Sequence, residues 1–188
     1  MRRLGLLVVA AACLAASACG GSGGGSSSGA PKGPPLATTL PTSGTVRYKG
    51  DGRIYTVAPL HHPLRLDDIV VQVRRVAWRS SAGVGFKPPG TTTYGVVTLT
   101  VTNLTKSQQT VAPTQIWLRN ASGAPFLAAA TTTIPGNLLR RPIPPGRSVT
   151  GTLVYPTPRR ETGYLLVYRF GDAAAIAKAE HVGLVRYS

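Results

Sequence analysis

The sequence predicts an all-β protein: an immunoglobulin-like antiparallel β-sandwich preceded by a signal peptide and a flexible linker. The length of 188 residues suits a single hydrophobic core. The 22 glycines and 16 prolines indicate many turns. After residue 43, short runs of alternating apolar and polar residues recur at the spacing expected of a sandwich.

The N-terminal region has the pattern of an export signal. Arg2 and Arg3 precede an apolar, alanine-rich run over residues 4–18. As a helix, that run would span about 22 Å, which is short of the roughly 30 Å hydrocarbon core of a bilayer. We therefore predict a cleaved signal peptide over residues 1–18 rather than a permanent transmembrane helix.

Cysteine usage refines this prediction. The chain has only two cysteines, Cys13 and Cys19, so the region predicted to fold contains no thiol. The small residues 16–18 directly before Cys19 resemble the lipobox of bacterial prolipoproteins. That resemblance implies acyl chains on Cys19, which would hold the protein in a cell membrane on its extracytoplasmic side. The alternative is a plain secretory signal, because residues 16–18 also form an Ala-x-Ala cleavage site.

A linker separates the cysteine from the domain. Glycine and serine dominate residues 20–29, and prolines follow, so residues 19–43 lack the apolar content of a core. A flexible chain of this length reaches about 25–30 Å. The folded domain is assigned to residues 44–188.

Two strands carry the clearest signals. Residues 94–103 alternate apolar residues with threonine, which is typical of a half-buried strand. Residues 69–78 alternate on one parity up to Val73 and on the other parity from Val76. A β-bulge at Arg74 and Arg75 would restore one inward face, and we predict it there.

The remaining strands follow from shorter runs and turn residues. A hairpin is predicted around Gly50-Asp51-Gly52, although its connection to the main sheet stays open. The other predicted strands are 115–119 paired with 125–128, then 148–155, 164–170 and 182–187. Residues 172–179 are compatible with either a short helix or a plain crossover.

The block from residue 62 to residue 188 resembles the telokin-like immunoglobulin-type domain of unknown function found in many bacterial lipoproteins. That domain is itself similar to the mycobacterial immunoprotective extracellular proteins. The resemblance rests on residues 69–76 as an opening strand, 94–103 as a strand ending in Asn, and 145–151 as a Pro-Gly turn into a later strand. Residues 79–93 depart from the pattern, which leaves strand order around them open. The resemblance implies a fold and a lipoprotein context, without catalytic residues or a cofactor.

Few residues suit catalysis or metal binding. The chain has six acidic residues and three histidines. His61, His62, Asp67 and Asp68 form the only cluster with metal-ligand chemistry, but adjacent histidines in an extended segment point to opposite faces. We therefore expect a non-enzymatic binding or structural module without cofactors; the alternative is a metal-dependent or enzymatic protein with its site at these four residues.

Two Asn-x-Ser/Thr triplets, starting at Asn103 and Asn120, match the acceptor pattern for glycosylation. The first asparagine ends a predicted strand, and the second directly follows one. Because such short patterns recur by chance, both are interpreted as turns.

The charge is strongly positive, with 21 Lys and Arg against 6 Asp and Glu. Arginine dipeptides occur at 74–75, 140–141 and 159–160, but neighbouring side chains on a regular strand diverge. We therefore expect a diffuse positive surface, part of which reflects the coding bias of a GC-rich genome. The predicted partners are the lipid bilayer, through Cys19, and an envelope protein or anionic envelope polymer. Nucleic acid is not expected, because no recognition motif is present.

Overall fold

Strands make up the regular structure of the part of the chain that the computed structural model describes. The described residues are 40–48, 52–85, 87–121, 123–130, 132–168, 170 and 180–187. Their strands are β1 (Gly44–Arg47), β2 (Ile54–Pro59), β3 (Pro63–Leu66), β4 (Ile69–Arg79), β5 (Thr93–Asn103), β6 (Gln109–Thr110), β7 (Ile116–Asn120), β8 (Pro125–Phe126), β9 (Pro142–Ile143), β10 (Ser148–Thr157), β11 (Gly163–Tyr168) and β12 (His181–Tyr187).

The larger sheet has six strands in the order β1-β2-β12-β11-β7-β8. Its pairs are antiparallel except for β2 and β12, which run parallel. The hairpin predicted around residue 51 therefore joins the main sheet through β2. Strand β11 lies between β12 and β7, and its residues 165–168 are buried, as expected for a strand covered on both faces.

The smaller sheet has four strands in the order β10-β5-β4-β3. Strand β5 lies in the interior of this sheet and pairs along its length with both β4 and β10. Its alternate apolar residues Val97, Leu99 and Val101 are buried, because they face the larger sheet. A two-stranded sheet of β6 and β9 completes the structure.

The predicted bulge in β4 is confirmed. Val73 pairs with Leu99, and the next paired residue is Arg75, opposite Thr98, so Arg74 is an extra residue in the strand. After the bulge, Val76 and Trp78 pack against the same core as the apolar residues before it. The bulge therefore keeps both halves of β4 facing inward.

The core fills the space between the two sheets. Buried side chains also cover the other face of the larger sheet, where the rings of Trp117 and Tyr168 stack with centroids 4.5 Å apart. Tyr155 on the smaller sheet donates a hydrogen bond of 3.2 Å to the carbonyl oxygen of Ile116 on the larger one. The predicted all-β sandwich is confirmed.

Both asparagines lie at turns, as interpreted. The buried Asn103 side chain donates to the carbonyl oxygens of Ser107 and Ile143, at 2.7 and 2.9 Å. Its own oxygen accepts from the backbone N–H and hydroxyl of Thr105. Asn120 closes the β7–β8 hairpin by accepting from a backbone N–H four residues ahead. These amides satisfy backbone groups where strands end.

Several sequence predictions fall outside the described ranges: the signal peptide, Cys19, most of the linker and the helix or crossover at 172–179. Within the described ranges, no helical segment has the length and hydrophobicity that a membrane span requires.

Two buried tyrosines differ in hydrogen bonding and should respond differently to loss of the hydroxyl. Tyr155→Phe removes the bond to Ile116, so the free energy of unfolding should fall by about 1–2 kcal/mol. The Tyr187 hydroxyl is buried and has no partner among the described residues, so Tyr187→Phe should leave stability unchanged or raise it. Urea denaturation of both variants measures this; equal losses would show that Tyr187 has a partner.

Alkaline pH should weaken the fold. Burial raises the pKa of Tyr155 and of Tyr187 well above the ordinary value of 10.0, and the Glu161 carboxylate adds to the effect at Tyr187. Between the unfolded and folded pKa values, only the unfolded state loses these protons. Stability should therefore decline above about pH 10, by up to about 1.4 kcal/mol per pH unit for each tyrosine. Unfolding free energies measured across this range should decline less steeply for Tyr187→Phe.

Candidate functional site

Hydroxyl groups line the exposed part of the outer face of the smaller sheet. Thr98, Thr100 and Thr102 point outward from β5 because their apolar neighbours point into the core. Across the sheet, the hydroxyl of Thr100 is 2.8 Å from that of Thr150, and the hydroxyl of Thr102 is 2.7 Å from that of Ser148. These contacts hold the side chains in two cross-strand rows.

The bulge adds two arginines to the same face. Arg74 Nε donates to the hydroxyl oxygen of Thr100 at 3.3 Å, and Arg75 lies directly opposite Thr98. Because Thr98 and Thr100 are two residues apart, they share a face, and the two exposed arginines share it with them. The expectation that neighbouring arginines diverge is therefore wrong for this pair, since it assumed a regular strand.

A third arginine lies at the opposite margin of these rows. Arg141 donates to the carbonyl oxygen of Thr150 at 3.1 Å. We call this surface the Thr–Arg face, and it comprises Thr98, Thr100, Thr102, Ser148, Thr150, Arg74, Arg75 and Arg141. In the described part of the chain, none of the three arginines forms an ion pair with a carboxylate. The face is therefore positively charged.

A small apolar cluster marks where the Thr–Arg face ends. Buried Ala82, Tyr94 and Val154 pack together over the rest of the outer surface. Ala82 and Val84 come from the segment where the sequence departs from the family pattern, and Val84 bridges to Thr132. The four-stranded sheet is thus buried at one end of its outer face and open to solvent at the other.

The structure does not bring the four candidate metal ligands together. His61 and His62 lie in the turn between β2 and β3, where His61 has a φ of 71°, rather than in an extended segment. Asp67 and Asp68 lie beyond the far end of β3, roughly 16 Å along the strand. No group of three His, Cys, Asp or Glu side chains within the described ranges is close enough to hold a metal ion.

A small polar pocket of about 90 Å³ lies elsewhere in the sandwich. It is lined by Leu60, Val76, Trp78, Arg160, Glu161, Thr162 and Tyr187. Glu161 is 5% exposed, and its carboxylate lies 3.6 Å from the guanidinium of Arg159. The sequence did not single out Glu161, because an isolated acidic residue belongs to no motif. The carboxylate already has a cationic partner, and the pocket admits only a few atoms.

Residues 59–178 match the model of a protein family described as a domain of unknown function, DUF4352. The chain belongs to this family. The DUF4352 match runs from the last residue of β2 past the end of β11, so it includes the whole Thr–Arg face. The resemblance noted from the sequence, to a domain of unknown function with a sandwich fold, is confirmed.

Two solved structures share the DUF4352 chain's fold. One is MPT63, a secreted protein from Mycobacterium tuberculosis, with a TM-score of 0.54, 15% identity, and coverage of 70% of this chain and 96% of that one. The other is the yjhA protein from Bacillus subtilis, with a TM-score of 0.54, 14% identity, and coverage of 69% and 99%. At these identities the likeness shows the fold alone. No curated protein matches the chain significantly.

Deletion of Arg74 should test whether packing needs the bulge. Without this residue the alternation from Val73 to Val76 becomes regular, so every apolar side chain of β4 should still face inward. We expect the free energy of unfolding to change by less than about 1 kcal/mol. Deletion of Ala77 is the matched control: it turns Trp78 outward and should cost about 3–5 kcal/mol. Urea denaturation compares the two, and equal losses would show that the bulge serves packing.

Proposed function

We propose that the protein is a lipid-anchored, extracytoplasmic lipoprotein whose sandwich is a non-catalytic binding module of the cell envelope. The Thr–Arg face is the observation that carries the binding role. It is exposed, positively charged, and held in place by cross-strand hydrogen bonds on a sheet whose other side is core.

Sequence features support the proposed location. Cys19 follows a short apolar leader and three small residues, and a Gly/Ser/Pro-rich linker separates it from the first strand. Two acyl chains on Cys19 would suffice for stable anchoring, whereas one would bind reversibly. MPT63, which shares the sandwich fold, is a secreted protein, in keeping with an extracytoplasmic location.

The chemistry of the face favours binding over catalysis. A guanidinium group donates hydrogen bonds and has no acceptor atom, so Arg74, Arg75 and Arg141 are unsuited to the role of a general base. The threonine hydroxyls bond to one another and to arginine instead of to a histidine or carboxylate that would activate them. Arginine and hydroxyl donors on a flat surface suit the recognition of anionic groups.

Loss of Cys19 should abolish lipid attachment. In Cys19→Ser the sulfur that accepts the diacylglyceryl group is absent, so the variant should lack the lipid mass and leave the detergent phase on phase separation. Cys13→Ser is the matched control, because it lies inside the predicted leader and should keep both properties. Intact mass spectrometry of the mature protein measures the modification. An unmodified Cys19 in the native protein, or an uncleaved leader, would refute the anchor.

A further inference from the structure

The Thr–Arg face presents arginines on both sides of its hydroxyl groups. Arg74 and Arg75 lie on β4, the threonines of β5 lie beside them, and Arg141 lies beyond β10. Strands are spaced about 4.8 Å apart, so the positive groups flank the hydroxyls at separations of roughly 10–15 Å. One small anion cannot contact groups so far apart.

We propose that the Thr–Arg face binds a linear, phosphate-bearing polymer of the cell envelope. The inference rests on the proposed extracytoplasmic binding function, and it specifies the ligand class for that same surface. A chain with repeated phosphates can contact both arginine margins at once, with its backbone lying over the hydroxyl rows.

The donors on this face match phosphate chemistry. A planar guanidinium donates two parallel hydrogen bonds to phosphate oxygens, and the bulge sets two such groups side by side. Each hydroxyl pair, such as Thr100 with Thr150, uses one of its two hydrogens internally. The other hydrogen remains to donate to a phosphate oxygen. Since no carboxylate pairs with the three arginines in the described ranges, no ion pair there must break before binding.

A soluble polymer fits this face better than the bilayer surface. The large apolar residues exposed in the described part of the chain, Leu104 and Leu127, lie outside the face, which therefore has no side chain to insert among lipids. The linker leads into β1, at the edge of the six-stranded sheet, whereas the Thr–Arg face is the outer surface of the other sheet. The face thus lies on the side of the sandwich opposite the tethered sheet.

The test uses the mature chain, residues 19–188, with Cys19→Ser so that no acyl chain interferes. Long-chain inorganic polyphosphate is the probe, and its dissociation constant is measured at about 50 and 200 mM salt. Arg74→Gln with Arg75→Gln should weaken binding about tenfold or more at the lower salt. It should also reduce the slope of log affinity against log salt by about 1.4–1.8, because two phosphate contacts are lost.

Arg160→Gln with Arg186→Gln is the matched control. It removes the same net charge from two exposed arginines off the face, one before β11 and one on β12, and should weaken binding less than about threefold. Thr100→Val with Thr150→Val keeps the side-chain shape but removes two hydroxyls, and it should weaken binding at either salt concentration. Thermal unfolding of each variant verifies that it is folded.

Two results would overturn the proposal: failure of the wild-type chain to bind polyphosphate, or a loss of affinity in the control pair as large as in the Arg74/Arg75 pair. If polyphosphate is not bound but phosphatidylglycerol vesicles are, the face would be assigned to the membrane. Acylation of Cys19 is tested separately by mass spectrometry. A negative binding result therefore does not refute the lipid anchor, and an unmodified Cys19 does not affect the binding measurement.

Discussion

The inward placement of the apolar side chains of β4 determines which of its other side chains face solvent. Ile69, Val71 and Val73 reach the core on one parity, and Val76 and Trp78 reach it on the other. Two residues separate these sets where a regular strand would have one, so both sets can be buried only if the strand bulges between them. The extra residue is Arg74, and its accommodation places the consecutive residues Arg74 and Arg75 on the same side of the sheet. Inward packing of this sequence and the charge on its surface are therefore linked through a single local irregularity.

The sandwich supports this surface because its two layers are closely joined. Tyr155 bonds across the core to the backbone of β7, and Gly183 lets β12 approach Leu64 of β3, where an added Cβ would lie 2.6 Å from Leu64 Cδ2. The remainder of the outer surface is covered by the cluster around Tyr94. The exposed hydroxyl rows consequently sit on a sheet that has little freedom to deform.

The sequence predicted individual strands better than it predicted which strands are neighbours in the sheets. Alternation of side chains predicted β5 and the bulge in β4, because burial of one face imposes a period of two. A continuous apolar run predicted β11. Neither pattern could show that β2 runs parallel to β12, since periodicity says nothing about which strands are neighbours. The sequence did not predict that Arg74 and Arg75 share one face of the sheet. Neighbouring side chains point to opposite faces in a regular strand, but not at a bulge. His61 was assigned to an extended segment, but its positive φ places it in a turn. Glu161 belongs to no motif, and only the fold shows that it is buried.

The pairing of the first strands has a mechanical consequence for a tethered domain. In the proposed lipid-anchored protein, tension would pass Leu40, which packs against the core, to Gly44. The partner of Gly44 is Val57 in β2, and β2 is hydrogen-bonded along its other edge to β12. A ligand held on the opposite layer would pull from the far side of the molecule. Force between the tether and the ligand would then pass through hydrogen-bonded strands and the core between the sheets, rather than through a single flexible loop. The whole sandwich would therefore resist a pull on the bound polymer.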